Sequence, residues 1–512
     1  MPLPVSKAPA RPLWLTALLL ALAYYAINFV LTPNSLSPVH QDDYLALGYG
    51  FEDMRWGVSR PVSTNLIYFM GEMGPAFSFL LLAAMTVAMA LLVLRFVERA
   101  FGREVEWHSL LLFSAISFAH MASFEHGKLL GLATTLSSNV AGLLAMCLLW
   151  DAWTRKSGGK AIATVAAYLA AVFAKEDFIL PPLVLLAWLW LQRLREARSW
   201  REAFASFETA LTLAVACTAA ASIAYNFLLT SNPFVSGVAG GAPQDAPYAV
   251  DMTPAALASA FWTLTFGYAP LASGLAVAVA AIGMIAKRAL RWPLVLVAAL
   301  IFALMLPYAL IPNNMPEFRV YGWLPWFGGI VAMVLASIAP PGDRLALPVR
   351  KVASALPALC LAAIVVWQAN PHRQGVAGWY ALQQGANEKM LQSLREHRSS
   401  IAREPVVGIV GVEGLSPWSN TDAQFLRRKL NFDNRWIVFV EKDSMFYQID
   451  PVLDGRTSSR NGKQFVLVEQ SSRLCDEPAL AVLVFDPSGA ATMARAADLC
   501  AGTHGIKPAP AP

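Results

Sequence analysis

The chain has 512 residues, of which 56% are hydrophobic and only 14% charged, whereas soluble domains carry roughly 25% charged residues. With a mean hydropathy of +0.49, this composition excludes an ordinary soluble fold, which has no use for so much apolar surface. The net charge of +5 gives no ground for nucleic-acid binding, because the basic residues gather in alternate loops as membrane topology alone requires.

Apolar runs of about 20 residues, the length that spans ~30 Å of hydrocarbon as a helix, recur between short polar breaks. Spans are expected at 12-32, 74-96, 108-124, 129-150, 161-174, 178-192, 207-229, 257-285, 292-312, 320-339 and 352-369. The first, behind Lys7 and Arg11 and with Ala21-Leu22-Ala23 as a cleavage-like triplet, mimics a signal peptide. Its apolar run continues to Leu31, which favours an uncleaved helix. With the N-terminus cytoplasmic, 18 Lys and Arg fall in inside segments and only Arg55, Arg60, Lys128, Lys175 and Arg319 in outside loops, the bias that orients polytopic proteins. The run 161-174 is short, about 21 Å at helical rise, and ends in Lys175-Glu176-Asp177. Were 161-192 one long helix, the arginines at 193-201 would face outside, against that bias.

The expected fold is therefore an α-helical polytopic membrane protein of about 11 transmembrane helices, residues 1-369, with a small C-terminal α/β domain at 370-512 on the extracytoplasmic side. In that tail, Trp379 to Ile401 reads as an amphipathic helix, and 406-412, 436-441, 464-469 and 480-486 as short buried strands. Its only cysteines, Cys475 and Cys500, are candidates for a disulfide in an oxidising compartment. Cys147, Cys217 and Cys360 lie in apolar segments and read as filler.

Ionisable residues at the outer ends of spans are costly near a membrane and so point to function. The first outer loop, His40 to Asn65, holds adjacent Asp42 and Asp43. Two neighbouring carboxylates repel, which suits one for a general base or the pair for a divalent cation such as Mg or Mn. An acidic loop that merely obeys topology reads the same way. The second turn gathers His120, Glu125, His126 and Lys128 without a metal-binding spacing, and helix-end capping explains most of them. Lys175-Glu176-Asp177 puts three charges in the shortest connection, before Pro181-Pro182. The fourth loop, Thr230 to Pro254, with Asp245 and Asp251, reads as a lid or acceptor platform. The fifth sets Glu317 and Arg319 among the aromatics Tyr321, Trp323 and Trp326; arginine suits a phosphate ligand, and the aromatics suit interfacial anchoring.

Asp42-Asp43-Tyr44, Arg55-Trp56-Gly57 and Ser59-Arg60-Pro61, Ala174-Lys175-Glu176-Asp177, and Phe318-Arg319-Val320-Tyr321 occur in this order on the expected outer face. Together they resemble the GT-C superfamily of polytopic glycosyltransferases, which use polyprenyl-phosphate-linked sugars. The likeness is to the bacterial O-antigen glucosyltransferase branch and covers roughly residues 12 to 340; Ser59 stands where that branch has glycine. The resemblance implies an inverting transfer from a polyprenyl-phosphate sugar donor to an envelope glycan, lipid or protein acceptor, among membrane lipids and with no nucleic acid. It implies Asp42 or Asp43 as base and Lys175, Arg319 and Arg60 on the donor phosphate, with Glu176, Asp177, Glu317 and His126 in support. A transporter or flippase is the alternative, although internal repeats and paired broken helices are not evident. A structural subunit whose tail recruits envelope proteins is the third.

Overall fold

The computed structural model describes residues 11-32, 36-56, 58, 60-196, 206-228, 249-338, 347-412, 415, 425-426, 435-440, 457-460, 463-469, 475 and 478-501. The fourth-loop reading, Asp245 included, therefore falls largely outside the described residues; Asp251 lies within them, and its N–H donates to the Leu310 carbonyl at 3.1 Å.

A helix occupies each stretch expected to span. In chain order α1 is Leu13–Tyr25, continued by a π-helical turn Ala26–Val30, α2 Gln41–Gly48, α3 Pro61–Met73, α4 Pro75–Phe101, α5 Trp107–Phe118, α6 Met121–His126, α7 Ala133–Arg155 and α8 Gly158–Ala174. There follow α9 Leu180–Glu196, α10 Ser206–Leu228, α11 Pro254–Trp262, α12 Pro270–Ala286, α13 Arg291–Ala309, α14 Leu324–Ile338 and α15 Leu347–Glu396. Among the described residues six helices are long and apolar enough to cross a bilayer, or seven if one bent pair counts as a span. That pair departs from expectation: 257-285 is two helical pieces meeting at 98°. Tyr268-Ala269-Pro270 carries the break, since proline at the first turn of α12 cannot continue the helix before it.

Two further differences bear on the site. The first outer loop is not irregular but contains α2 and α3, the latter opened by Pro61 at its first position. Pro75 follows Gly74, whose positive φ of 84° turns α3 sharply into α4. The expected helix 379-401 is the last part of the 50-residue α15, which continues from span to tail through Pro371 and ends at Glu396, followed by a separate turn of helix at Arg398–Ile401.

The bundle packs around one apolar core that α4, α5, α7 and α14 dominate, with Phe96, Phe113, Leu149, Trp326 and Val331 fully or almost fully buried. The tail carries a six-stranded sheet with β1 Val406–Val410, β2 Arg435–Val440, β3 Thr457–Arg460, β4 Lys463–Glu469, β5 Ala481–Phe485 and β6 Ala491–Arg495. Its order is β3-β4-β2-β1-β5-β6, parallel in the middle and antiparallel at both edges. The four parallel strands are the apolar runs expected from sequence, because a strand covered on both faces reads as continuously hydrophobic. The edge strands β3 and β6 are polar or mixed and leave no such pattern. Met390 and Leu394 of α15 pack with Val407, Ile409 and Leu483, so one helix joins sheet and bundle.

Candidate functional site

Where α8 ends, the backbone of Lys175 becomes extended (φ −164°) and a single 3-10 turn, Glu176–Phe178, leads to α9. This tight connection is fixed from three sides. Ser63 Oγ donates to the Ala174 carbonyl at 2.6 Å, Ser138 Oγ to the Lys175 carbonyl at 3.1 Å and Tyr168 Oη to the Ile179 carbonyl at 2.6 Å. Gly142 of α7 faces the Phe178 ring so closely that a Cβ there would overlap it.

The three charges of the turn are thereby held in place. Lys175 Nζ lies 2.6 Å from Asp177 Oδ2 and donates to Thr135 Oγ1 at 3.0 Å and Tyr308 Oη at 3.3 Å. Burial pulls the Lys175 ammonium down, while Asp177 opposes that shift and Arg319 and Arg60 add to it. Tyr308 Oη also donates to Asp177 Oδ2. Arg60 grips Glu176 with two prongs, Nε to Oε2 at 2.9 Å and Nη2 to Oε1. It caps α3 in the left-handed conformation, φ 54°, a strained position for a side-chain-bearing residue.

Arg319 enters from the 3-10 segment Glu317–Gly322 that precedes α14. Its guanidinium lies over the Tyr308 ring, 4.5 Å from the centroid, and Nη2 donates to Asn314 Oδ1 at 3.0 Å. Its Nε and Nη1 are buried and have no hydrogen-bond partner among the described residues. A buried guanidinium with two unused donors is costly alone and calls for an anion.

These groups meet around one cavity of about 300 Å³, lined by Arg60, Lys175, Glu176, Asp177, Tyr308 and Arg319, with His40, Thr135 and the 129-132 segment completing the wall. Residues far apart in sequence thus share one polar hollow with three cations and two carboxylates. Tyr308, Thr135 and His40 were not among the residues singled out from sequence: a tyrosine or threonine within an apolar span carries no signal of its own.

The remaining candidates lie elsewhere. Glu317 turns away from Arg319 to a second cavity of about 150 Å³, where His120 Nε2 and His372 Nε2 stand 3.6 and 3.2 Å from its carboxylate. His126 is fully buried, with Nδ1 2.8 Å from the Ala122 carbonyl and its ring against Tyr321; burial pushes it down to about 4, so it is neutral. Among the described residues neither is joined to Arg60, Lys175 or Arg319 by an ion pair or hydrogen bond.

Of the adjacent aspartates, Asp42 has its side chain outside the described residues. Asp43 is wholly buried and does not line the cavity. Its Oδ2 accepts the N–H groups of Val39 and His40, each at 2.9 Å, and its Oδ1 that of Leu130 at 2.6 Å. Among the described residues no three His, Cys, Asp or Glu side chains are grouped to hold a metal ion. The Asp43 oxygens are engaged by backbone N–H groups.

Cys475 and Cys500 form a disulfide, with Cα atoms 5.8 Å apart.

No protein-family model matches the chain, and no curated protein matches it. Among solved structures, the chain is similar over 97% of its length to the crystal structure of ArnT from Cupriavidus metallidurans bound to undecaprenyl phosphate, covering 95% of that chain at 13% identity and a TM-score of 0.49. The apo state of the same protein is similar at 12% identity and a TM-score of 0.48, over 96% of this chain and 94% of that one.

Proposed function

We propose that the chain is a membrane glycosyltransferase that takes a sugar from a polyprenyl-phosphate donor, and that the Arg60, Lys175, Arg319 cavity holds the donor phosphate. One observation carries this reading: Arg319 presents two buried guanidinium nitrogens, without a hydrogen-bond partner among the described residues, at a cavity shared with two more cations. A planar fork of donors matches phosphate oxygens bidentately, and Lys175 adds a point charge beside it.

In the reaction an acceptor hydroxyl attacks the anomeric carbon. A new glycosidic C–O bond forms as the bond from that carbon to the phosphate oxygen breaks, in one inverting displacement. The leaving group is polyprenyl phosphate, whose developing negative charge Arg319 and Lys175 stabilise from fixed positions. The hydroxyl proton passes to a carboxylate of the first outer loop. Asp42 is the candidate for it, because the Asp43 carboxylate is occupied by backbone N–H groups.

Read with the eleven crossings and the cytoplasmic N-terminus expected from the basic-residue bias, this cavity and residues 370-512 lie on the periplasmic side. That placement supports the lipid link, since nucleotide sugars stay in the cytoplasm. The acceptor is an envelope glycan, lipid or protein.

The test is turnover by the purified full chain, in lipid nanodiscs, of a panel of polyprenyl-phosphate hexoses and pentoses. Release of polyprenyl phosphate that stops in Arg319→Ala is the expected result. Movement of labelled lipid between leaflets without loss of its sugar would instead identify a flippase.

A further inference from the structure

Asp43 is wholly buried with three backbone N–H groups on its carboxylate, and nothing in the transfer reaction needs it. Through Oδ2 it closes its own end of α2: His40 is the N-cap and Asp43 the third helical residue, so the side chain reaches back to the cap N–H as in one half of a capping box. Through Oδ1 it reaches the Leu130 N–H, 87 residues away, at 2.6 Å. His40 lies on one wall of the cavity, and Leu129, Gly131 and Leu132 on another. The carboxylate thus sits behind the lining and ties two walls together.

We propose that Asp43 is a positioning residue, which sets the width of the phosphate cavity by fixing the His40 segment to the Leu129–Leu132 segment, and that it takes no proton in the reaction. The consequence for substrate binding rests on the donor-phosphate reading above, whereas the clamp itself does not. A carboxylate offers about four acceptor sites. Three are filled by backbone N–H groups, so withdrawing Oδ1 to accept a substrate proton would take from Leu130 the acceptor it has here. Moreover, the loop segment has supports of its own. Asn387 Nδ2 donates to the Val39 carbonyl at 3.0 Å, Lys128 Nζ to the Ser37 carbonyl at 2.9 Å and Tyr44 Oη to the Pro38 carbonyl at 3.3 Å. Loss of the Asp43 bonds should therefore loosen the register between the walls without unfolding the loop.

The experiment compares wild type, Asp43→Asn and Leu130→Pro, as full chains in detergent or nanodiscs, by hydrogen-deuterium exchange and by binding of undecaprenyl phosphate. Asparagine keeps the shape but replaces one acceptor oxygen with a donor. Proline deletes the Leu130 N–H at the first position of a 3-10 turn, after a residue already extended at φ −103° and ψ 115°, where proline is tolerated. Leu130→Ala controls for the lost side chain. The clamp predicts faster exchange confined to 37-44 and 128-133 in Asp43→Asn and Leu130→Pro, and not in Leu130→Ala. It also predicts that undecaprenyl phosphate binds roughly 10-fold more weakly in both, with the double variant no weaker than either one, because both remove the same contact.

Unchanged exchange and unchanged binding in Asp43→Asn, with turnover down 100-fold or more, would make Asp43 the base and overturn the proposal. Additive losses in the double variant would overturn it too. If undecaprenyl phosphate does not bind even the wild type, the donor reading fails, and the exchange pattern alone still decides the clamp.

Discussion

Arg60 and Glu176, 116 residues apart, form a two-pronged ion pair that joins the start of α3 to the connection between α8 and α9. Glu176 is nearly buried and Arg60 about a quarter exposed, at 9% and 27% of the side chain. Breaking a buried pair by removing one partner leaves an uncompensated charge, commonly at a cost of about 3-5 kcal/mol. Partial exposure of Arg60 puts Glu176→Gln near the low end, at about 3 kcal/mol. Chemical denaturation of the detergent-solubilised protein should show it as a lower midpoint; a loss below about 1 kcal/mol would mean that the pair is screened by solvent.

Arg319→Lys tests the fork rather than the charge. Lysine keeps a cation near the Tyr308 ring but loses the planar pair of donors, so the dissociation constant for undecaprenyl phosphate should rise roughly 10-fold. Tyr308→Phe, by contrast, keeps the ring under Arg319 and removes only the hydroxyl between Lys175 and Asp177, and should weaken binding less. Isothermal titration or native mass spectrometry would rank the two. The reverse order would shift the phosphate contact from Arg319 to Lys175.

The cations of the cavity stood out in the sequence because charges at span ends are rare and costly, so Lys175, Arg60 and Arg319 had little structural excuse. Tyr308 and Thr135 had one: in an apolar helix they read as packing. The role of Asp43 was hidden for a different reason. Its partners are backbone N–H groups, one of them 87 residues away, and main-chain donors carry no residue-type signature. The same holds for the break at Tyr268-Ala269-Pro270, since one proline inside a long apolar run is as compatible with a kinked span as with a 98° turn. The parallel strands were legible as continuous apolar runs, but β3 and β6 were not, having only one neighbour and mixed side chains.

Stability should depend on Glu125. Burial raises its carboxyl to about 7, against the opposing hydrogen bond that Tyr380 Oη donates to Oε1 at 2.8 Å. A carboxyl whose pKa is higher in the folded chain holds its proton more tightly there. Its contribution is therefore complete below the unfolded value of roughly 4.3 and is lost as pH rises through about 7. Lys128, pushed down to about 8 by burial, acts with the opposite sign, since the fold favours its neutral form as pH rises. Glu125→Gln leaves Lys128 in place, so the difference between the two proteins isolates Glu125. Thermal midpoints of wild type should fall relative to Glu125→Gln between pH 5 and pH 8; parallel curves would show that the carboxyl is not desolvated as the fold implies.

The whole assignment of the cavity depends on which side of the membrane the tail occupies. If the basic-residue bias sets eleven crossings from a cytoplasmic N-terminus, the sheet and the Cys475–Cys500 bond face an oxidising compartment. Closing a 25-residue separation removes loop entropy from the unfolded tail and should stabilise it by ~3 kcal/mol in the chain-entropy model. A thiol reagent that cannot cross the inner membrane, applied to spheroplasts, should therefore label these two cysteines only after reduction, and the same reduction should make the tail more sensitive to protease. Cys475→Ser with Cys500→Ser should reproduce that sensitivity without any reductant. Cys147 is buried, whereas Cys217 and Cys360 are exposed on apolar helices, so a parent lacking these three removes background without touching the sheet. A cytoplasmic tail gives the opposite pattern: thiols already reduced, and no labelling from outside before or after treatment. That result would move Arg60, Lys175 and Arg319 to the other face as well, beside soluble nucleotide sugars, and would remove the reason for a lipid-linked donor.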